Sequence, residues 1–494
     1  TGGTGGTYTA GVGSYVFVDK NGGSQDDLYI YHPGGTSLNF SANTSYRNVY
    51  LYNSAGFTTS IGTTFTFNGG TYGGDGTGST TILGLANFGS GATIASGTMN
   101  VLGTTTFGTD FTVGGYGGTV YYYQNASTTS NTNLTIGSGG YFEYQSLSST
   151  SPATLTGLTI NSGGTLRHKA NASVYSNALH LIVAGDATIN SGGSINVTGK
   201  GYLGNTTATG SAPTTTGGGG YNSTTTSAVG GGGAYGGNGG QGRSGSIYAT
   251  SSIAYGSSTA PTDLGASGGG GGANGYAGGN GGGAIKLNVS GKMTINGSIL
   301  ANGSSGLGSG TTYVPGGGAG GSVWVIANQL VGTGWVFANG GNGWFGDATR
   351  WGGGGGGGRI RFDVVANEFE GLVTTNPGTG YQSGSYGTET GLADKLYRSV
   401  GANSSNLNTV GATVTITSDS NTATFSVGLP NNIGVGDVIE YYKTSSLRNL
   451  AFITSRISST TYAVTSWDGN IPTATTTATA LIYRPFRNLN KWSQ

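Results

Sequence analysis

The chain has 494 residues, enough for two to four ordinary domains or one long repetitive one, and its 19 basic and 18 acidic residues leave a net charge of +1. Charged residues make up 7% of the sequence and the basic ones stand singly, so the sequence offers no footprint for nucleic acid or an anionic membrane. There is no cysteine, which excludes disulfides and thiolate metal sites, and no apolar run approaches the ~18 residues of a membrane-spanning helix.

Glycine supplies 104 residues, a large surplus over its usual share. Glycine with polar residues alone would suggest a disordered linker, but 29 Tyr, 16 Phe and 6 Trp are spread along the chain, and aromatic residues at that density predict strands that pack. The opening TGGTGGTYTAGVG lacks an initiator Met and the charged and apolar regions of a signal peptide, so we read the chain as the mature or trimmed form of an exported protein.

From residue 1 to 211 short alternating runs are separated by Gly-Gly or Ser-Gly. Three of them, LTIGSGGYFEY, LTINSGGTLRH and ATINSGGSINVTG, are variants of one phrase, with the Thr-Ile step at Thr135, Thr159 and Thr188. Separations of this size fit one turn of a solenoid built from strands. Leu158, Ile160, Leu166, Ile189 and Ile195 then point inward, Thr and Ser point outward, and SGG makes the corner. No capped, 3.6-periodic apolar stretch predicts a helix.

Residues 212–370 continue the solenoid with glycine runs, ending in RWGGGGGGGRIRFDVV, where the alternating RIRF rules out a phosphate-binding loop. The strands AIKLNVSGKMTINGSILANG and GSVWVIANQLVGTGWVFANG align, Met293 with Leu330, and ANG recurs at Ala301 and Ala338. Tyr235, Tyr276 and Trp344 sit inside the glycine runs, which favours packed three-fold extended segments over flexible loops. Residues 371–403 lose periodicity and read as a connector. Residues 404–494 read as a small antiparallel β module of consecutive strands. The predicted fold is all-β, a parallel β-helix (solenoid) with glycine-rich tracts followed by that small antiparallel domain.

The phrases NSGGTL, INSGGSINVTGKGYLG, GGNGGGAIKL, GGGAGGSVWV and GGGGGGGRIRF, with the tail IGVGDVIEYY and AFITSRISSTTYAV, resemble the glycine-rich β-helical surface proteins of environmental bacteria, which carry a similar small C-terminal β module. The resemblance covers roughly residues 130 to 490. It implies a secreted, surface-located protein and supplies no catalytic residues. Similar proteins continue with more β-helix after the small module, so processing or truncation near Gln494 is expected.

Polysaccharide-cleaving β-helices need clustered carboxylates, and between Asp186 and Asp347 this chain has one acid, Asp263. Asp363, Glu368 and Glu370 are read as lacking a basic or histidine partner close in sequence. No catalytic residue is assigned and the chain is not expected to be an enzyme. No cofactor is expected; the one ion with a candidate site is calcium, at Asp19, Asn21, Gln25 and Asp27 of VDKNGGSQDD, where oxygen ligands alternate, although a polar β-turn is the simpler reading. His32, His168 and His180 have no metal-ligand spacing. The run Tyr121, Tyr122 and Tyr123 turns one or two rings outward in a strand and is the candidate glycan-binding element. The expected function is a secreted, extracellular or cell-surface structural protein whose partners are copies of itself in a filament or sheet, or which projects from the envelope. The alternatives are a carbohydrate-binding adhesin with surface glycans as partners, and a polysaccharide lyase or hydrolase or phage tail spike. No nucleic acid and no membrane span are expected.

Overall fold

The computed structural model describes residues 15–19, 26–31, 37–115, 119–124, 132–145, 152–224, 227–272, 276–391, 406–417, 420–444, 447–466 and 471–484. The named elements are all strands. By its contacts the chain forms two compact units that interleave along the sequence. The first holds Thr1–Ala170, Ser176–Val197 and Ile285–Ile299; the second holds Asn171–Tyr175, Thr198–Ala284 and Leu300–Gln494.

In the first unit the alternating runs become strands that stack in sequence order. One sheet runs Asp27–Tyr31, Val49–Tyr52, Thr71–Gly74, Ala92–Ile94, Asp110–Val113, Asn133–Ile136, Gly157–Ile160 and Ala187–Ile189, all parallel. A second runs Ser37–Phe40, Gly56–Thr59, Ser79–Ile82, Gly97–Val101, Val120–Gln124, Gly140–Tyr144, Thr165–His168 and Ser194–Asn196. A third, Thr44–Tyr46, Thr64–Phe67, Leu85–Phe88 and Thr105–Phe107, accompanies the early turns. Each turn of the chain adds one strand to each sheet present, which is a solenoid.

The Thr-Ile phrase explains the register. Tyr72, Ile94, Val113, Ile136, Ile160, Ile189 and Ile295 pair rung to rung and are all buried. Burying each such side chain is worth about 1.5–3 kcal/mol. A slip of one residue would turn the whole column to solvent. The SGG corners use their glycines for backbone reasons: Gly139, Gly163 and Gly192 hold φ of 71°, 76° and 80°. After Ser194–Asn196 the chain leaves this unit and returns as Ala284–Ile295, a strand long enough to pair with both Leu179–Val183 and Ala187–Ile189.

In the second unit Ser322–Gly332 pairs in parallel with Arg359–Phe369, and Trp335–Phe337 with Leu372–Thr374. Thr388–Thr390 then pairs with the start of Arg359–Phe369. Leu372–Thr374 and Thr388–Thr390 lie inside the stretch read as a connector; their short length leaves little alternation to detect. The ANG phrase is a ladder: the Asn339 amide donates to Asn302 Oδ1 at 2.8 Å and the Asn376 amide to Asn339 Oδ1 at 2.7 Å. Thr413–Thr417, Thr422–Phe425, Thr461–Thr465, Leu447–Arg456, Val438–Thr444 and Thr475–Tyr483 close into a six-stranded antiparallel barrel around Val414, Ile416, Phe425, Ile439, Ile453 and Ile482.

The glycine runs of this unit pack backbone against backbone. Gly352 to Gly358 are all buried. The amides of Gly352, Gly355 and Gly358 donate to the carbonyls of Trp344, Gly341 and Ala338 at 2.9, 2.9 and 2.7 Å; those of Gly353 and Gly356 donate to Gly230 and Gly233, and those of Gly354 and Gly357 to Gln382 and Ser385. The carbonyls of Gly353 and Gly356 accept from Gly317 and Gly320, those of Gly354 and Gly357 from Gly240 and Gly237, and those of Gly352 and Gly355 from Tyr381 and Gly378. Every third residue addresses the same neighbour, which is the three-residue period of an extended helix without internal hydrogen bonds. A central segment surrounded by six others leaves no room for side chains.

Candidate functional site

The hairpin Tyr15–Asp19 with Asp27–Tyr31 pairs Asp19 with Asp27, so VDKNGGSQDD joins two antiparallel strands. Asn21 and Gln25 of the calcium candidate lie outside the described residues. Asp27 is engaged elsewhere: Arg47 Nε and Nη2 donate to its two carboxylate oxygens at 3.0 and 2.8 Å, and Asn48 Nδ2 donates at 3.0 Å. The guanidinium beside Asp27 holds its carboxyl below the usual carboxylate value against the opposing effect of burial.

Strand Val120–Gln124 alternates buried and half-exposed positions, so Tyr122 is in the core, with its hydroxyl 2.6 Å from Gln124 Oε1. Burial pushes its phenol well up. Tyr121 and Tyr123 face outward with parallel rings 6.1 Å apart, and Tyr121 stacks on Tyr141 of the next rung at 5.1 Å. Arg167 lies 5.3 Å over Tyr141 and pairs with Glu143 at 2.8 Å. Tyr121, Tyr123, Tyr141 and Arg167 form a continuous half-exposed patch of ring edges, hydroxyls and one cation, with the Glu143 carboxylate buried beneath the guanidinium. Sequence alone found its Tyr121 and Tyr123. Tyr141, Glu143 and Arg167 join through the rung register, which the repeat spacing could have supplied.

The remaining acids are dispersed. Asp363 is held by Trp324 Nε1 at 2.7 Å and by Arg361 at 2.6 Å, so it does have a basic partner two residues away, contrary to the sequence reading. Glu368 accepts from Gln329 Nε2 at 3.0 Å. Asp263 is raised by burial, near Arg359. His168 is buried with Nδ1 2.7 Å from the Lys169 carbonyl, and His180 is buried as well; His32 lies outside the described residues. Among the described residues no three His, Asp or Glu side chains converge as a metal site, and no helix is long and apolar enough to cross a membrane.

One buried ion pair joins the barrel to the last rung. Glu389 occupies the inward position that Ile360 holds one rung earlier, and Arg456 of the barrel meets it at 3.4 Å while donating to Asn431 Oδ1 at 2.6 Å. Both are almost fully buried. The apolar column Val323, Ile360 thus ends in a carboxylate capped by a guanidinium. This pair closes a structure; it is not placed to act on a substrate. No protein-family model, no curated protein and no solved structure matches this chain.

Proposed function

We propose that this chain is a secreted structural protein of a bacterial surface that associates with copies of itself into a filament or sheet, or projects from the envelope. The observation that carries the reading is the glycine block: in Gly352 to Gly358 each amide and each carbonyl is fixed by a neighbouring segment, an arrangement that confers stiffness rather than a ligand pocket. The neutral, weakly charged composition supports close contact between copies without strong repulsion. The barrel over Glu389 covers one end of the second unit's rungs, which favours contacts along the sides. Negative-stain microscopy and sedimentation velocity of the full chain test this. Ordered polymers or reversible oligomers are expected, and a chain that stays monomeric at every concentration would overturn self-association and leave only the projecting form.

A carbohydrate-binding adhesin is the second reading, favoured by the outward Tyr121, Tyr123 and Tyr141 beside Arg167. Glycan binding lost in Tyr121→Ala and Tyr123→Ala with unchanged melting supports it; an array with no bound glycan removes it. Turnover of an acidic polysaccharide by the purified chain would instead revive the lyase, hydrolase or tail-spike alternative.

A further inference from the structure

Seven threonines of the first unit stand in one row, one per rung: Thr71, Thr93, Thr112, Thr135, Thr159, Thr188 and Thr294 pair in direct register. All are half-exposed on the outer face, opposite the buried column described above. β-Branching restricts each χ1, so the row is a stiff alternation of hydroxyl and methyl. Two residues before each threonine runs a flanking row. Over the last five rungs it reads Asp110, Asn133, Gly157, Asp186 and Lys292, with every side chain in it exposed. The chain between those rungs keeps the row in place: the Leu158 amide donates to the Asp186 carbonyl, and Asp186 Oδ1 accepts from the Lys292 amide at 2.8 Å.

We propose that this face is a contact between two copies of the chain, threonine row against threonine row, about a twofold axis parallel to the strands and centred over Thr159. Such an axis reverses the order of the rungs and keeps position along each strand. Thr159 then meets Thr159 of the second copy, Thr135 meets Thr188, and Thr112 meets Thr294. In the flanking row Asp110 meets Lys292, twice by symmetry, Asn133 meets Asp186, and Gly157 meets Gly157, with the Asn133 side chain of each copy beside it. An axis along the row would set Lys292 against Asn296 and Asp110 against Gly114, pairing no charges. Charge complementarity therefore selects the first arrangement.

The inference rests on the self-association reading and gives it a surface. Five rungs at ~4.8 Å and three outward positions across each strand make a face of roughly 400 Å² per copy, about half of a standard stable interface. The dimer is weak alone, concentration-dependent, and loosened by salt because its ion pairs lie at the rim.

Sedimentation velocity of the full chain over rising concentration at low salt tests it. The wild type should dimerise. Asp110→Lys and Lys292→Asp each set like charges opposite and should weaken the dimer about tenfold or more, while the double swap restores it. Thr159→Lys places two ammonium groups at the axis and should abolish it. All three positions are surface sites, and Asp110→Lys loses the exposed bond from Asn133 Nδ2 to Asp110 Oδ1 at 3.0 Å, so melting should change little. Undiminished association of Thr159→Lys overturns this face and leaves self-association standing; so does a double swap that fails to restore what the single changes removed. A wild type that never associates overturns both.

Discussion

Replacing Gly355 by alanine adds one carbon to the middle of the glycine block. A Cβ there would lie 2.0 Å from the Gly318 carbonyl oxygen and 2.6 Å from its carbon, both backbone atoms that cannot rotate away. Ordinary contact between such atoms begins at roughly 3.5 Å, so the two segments must part by about 1 Å or more. Between them run the bonds from Gly317 to the Gly353 carbonyl at 2.9 Å and from Gly320 to the Gly356 carbonyl at 3.0 Å. Parting the segments breaks both and leaves buried partners unmet, about 1–3 kcal/mol for each bond, and overpacking adds about 1–3 kcal/mol. The loss of unfolded-state freedom returns about 0.4–1 kcal/mol. Gly355→Ala should therefore destabilise the second unit by roughly 2–9 kcal/mol. Denaturant unfolding followed by tryptophan fluorescence reads this selectively, since Trp324, Trp335, Trp344 and Trp351 all belong to that unit. Gly73→Ala in the first unit, followed by circular dichroism, is the control for the glycine-to-alanine change itself, because its Cβ meets nothing closer than 3.5 Å and its φ needs no glycine. Equal stability of Gly355→Ala and wild type, with amides of Gly353 to Gly357 exchanging in seconds, would refute backbone packing.

Ile189→Asp places an unpaired carboxylate in the column between Ile160 and Ile295 and should cost the first unit several kcal/mol; unchanged melting by circular dichroism would mean that the register is wrong. Arg456→Met alone strands the buried Glu389 carboxylate and should destabilise the second unit by about 3–5 kcal/mol, whereas Arg456→Met with Glu389→Leu should recover most of it; a double variant as unstable as the single one would show that the pair contributes by packing alone. Asp27 has a folded pKa below its unfolded value, so its contribution is complete above the unfolded value near 4 and is lost as pH falls through the folded one. Stability of the first unit should drop below about pH 4, less steeply in Asp27→Asn, and identical acid profiles for the two proteins would contradict the assignment.

The solenoid was legible where side chains carry its period. Thr135, Thr159 and Thr188 pair directly because each Thr-Ile step turns one residue out and the next in, and that alternation is written in the residues themselves. Tyr122 was equally decidable, since it shares the parity of the apolar Val120. What stayed hidden is what depends on distant partners. Arg47 is 20 residues from Asp27, and Arg456 is 67 from Glu389. Nothing local marks either bond. The return of the chain as Ala284–Ile295 also follows from pairing alone. Glycine carries the least of all: the neighbours of Gly352 to Gly358 are chosen by backbone geometry, and seven identical residues cannot encode six different partners.

That lack of local coding raises the question of what holds the tract in one register. Ordering a residue's backbone costs roughly 1–2 kcal/mol, more for glycine, while each glycine gains one net hydrogen bond worth about 0.5–1.5 kcal/mol. The cost exceeds the gain by roughly 0.5 kcal/mol or more per glycine, so a glycine segment does not stabilise its own place in the bundle and nothing in its own composition prevents sliding. The residues that bracket it do. Trp351 donates Nε1 to the Gly343 carbonyl at 3.2 Å, and Trp344 donates to Gly310 at 3.1 Å. At the other end Arg359 lies 5.3 Å over the buried Tyr235 ring, with Nη2 2.8 Å from the Tyr255 carbonyl and Nη1 3.0 Å from Thr388 Oγ1. Tyr235 in turn places its hydroxyl 2.7 Å from Ser322 Oγ. In RWGGGGGGGR the tryptophan and the second arginine are thus the register pins, each grasping a different segment. The glycines between them need only be small enough to let six neighbours approach.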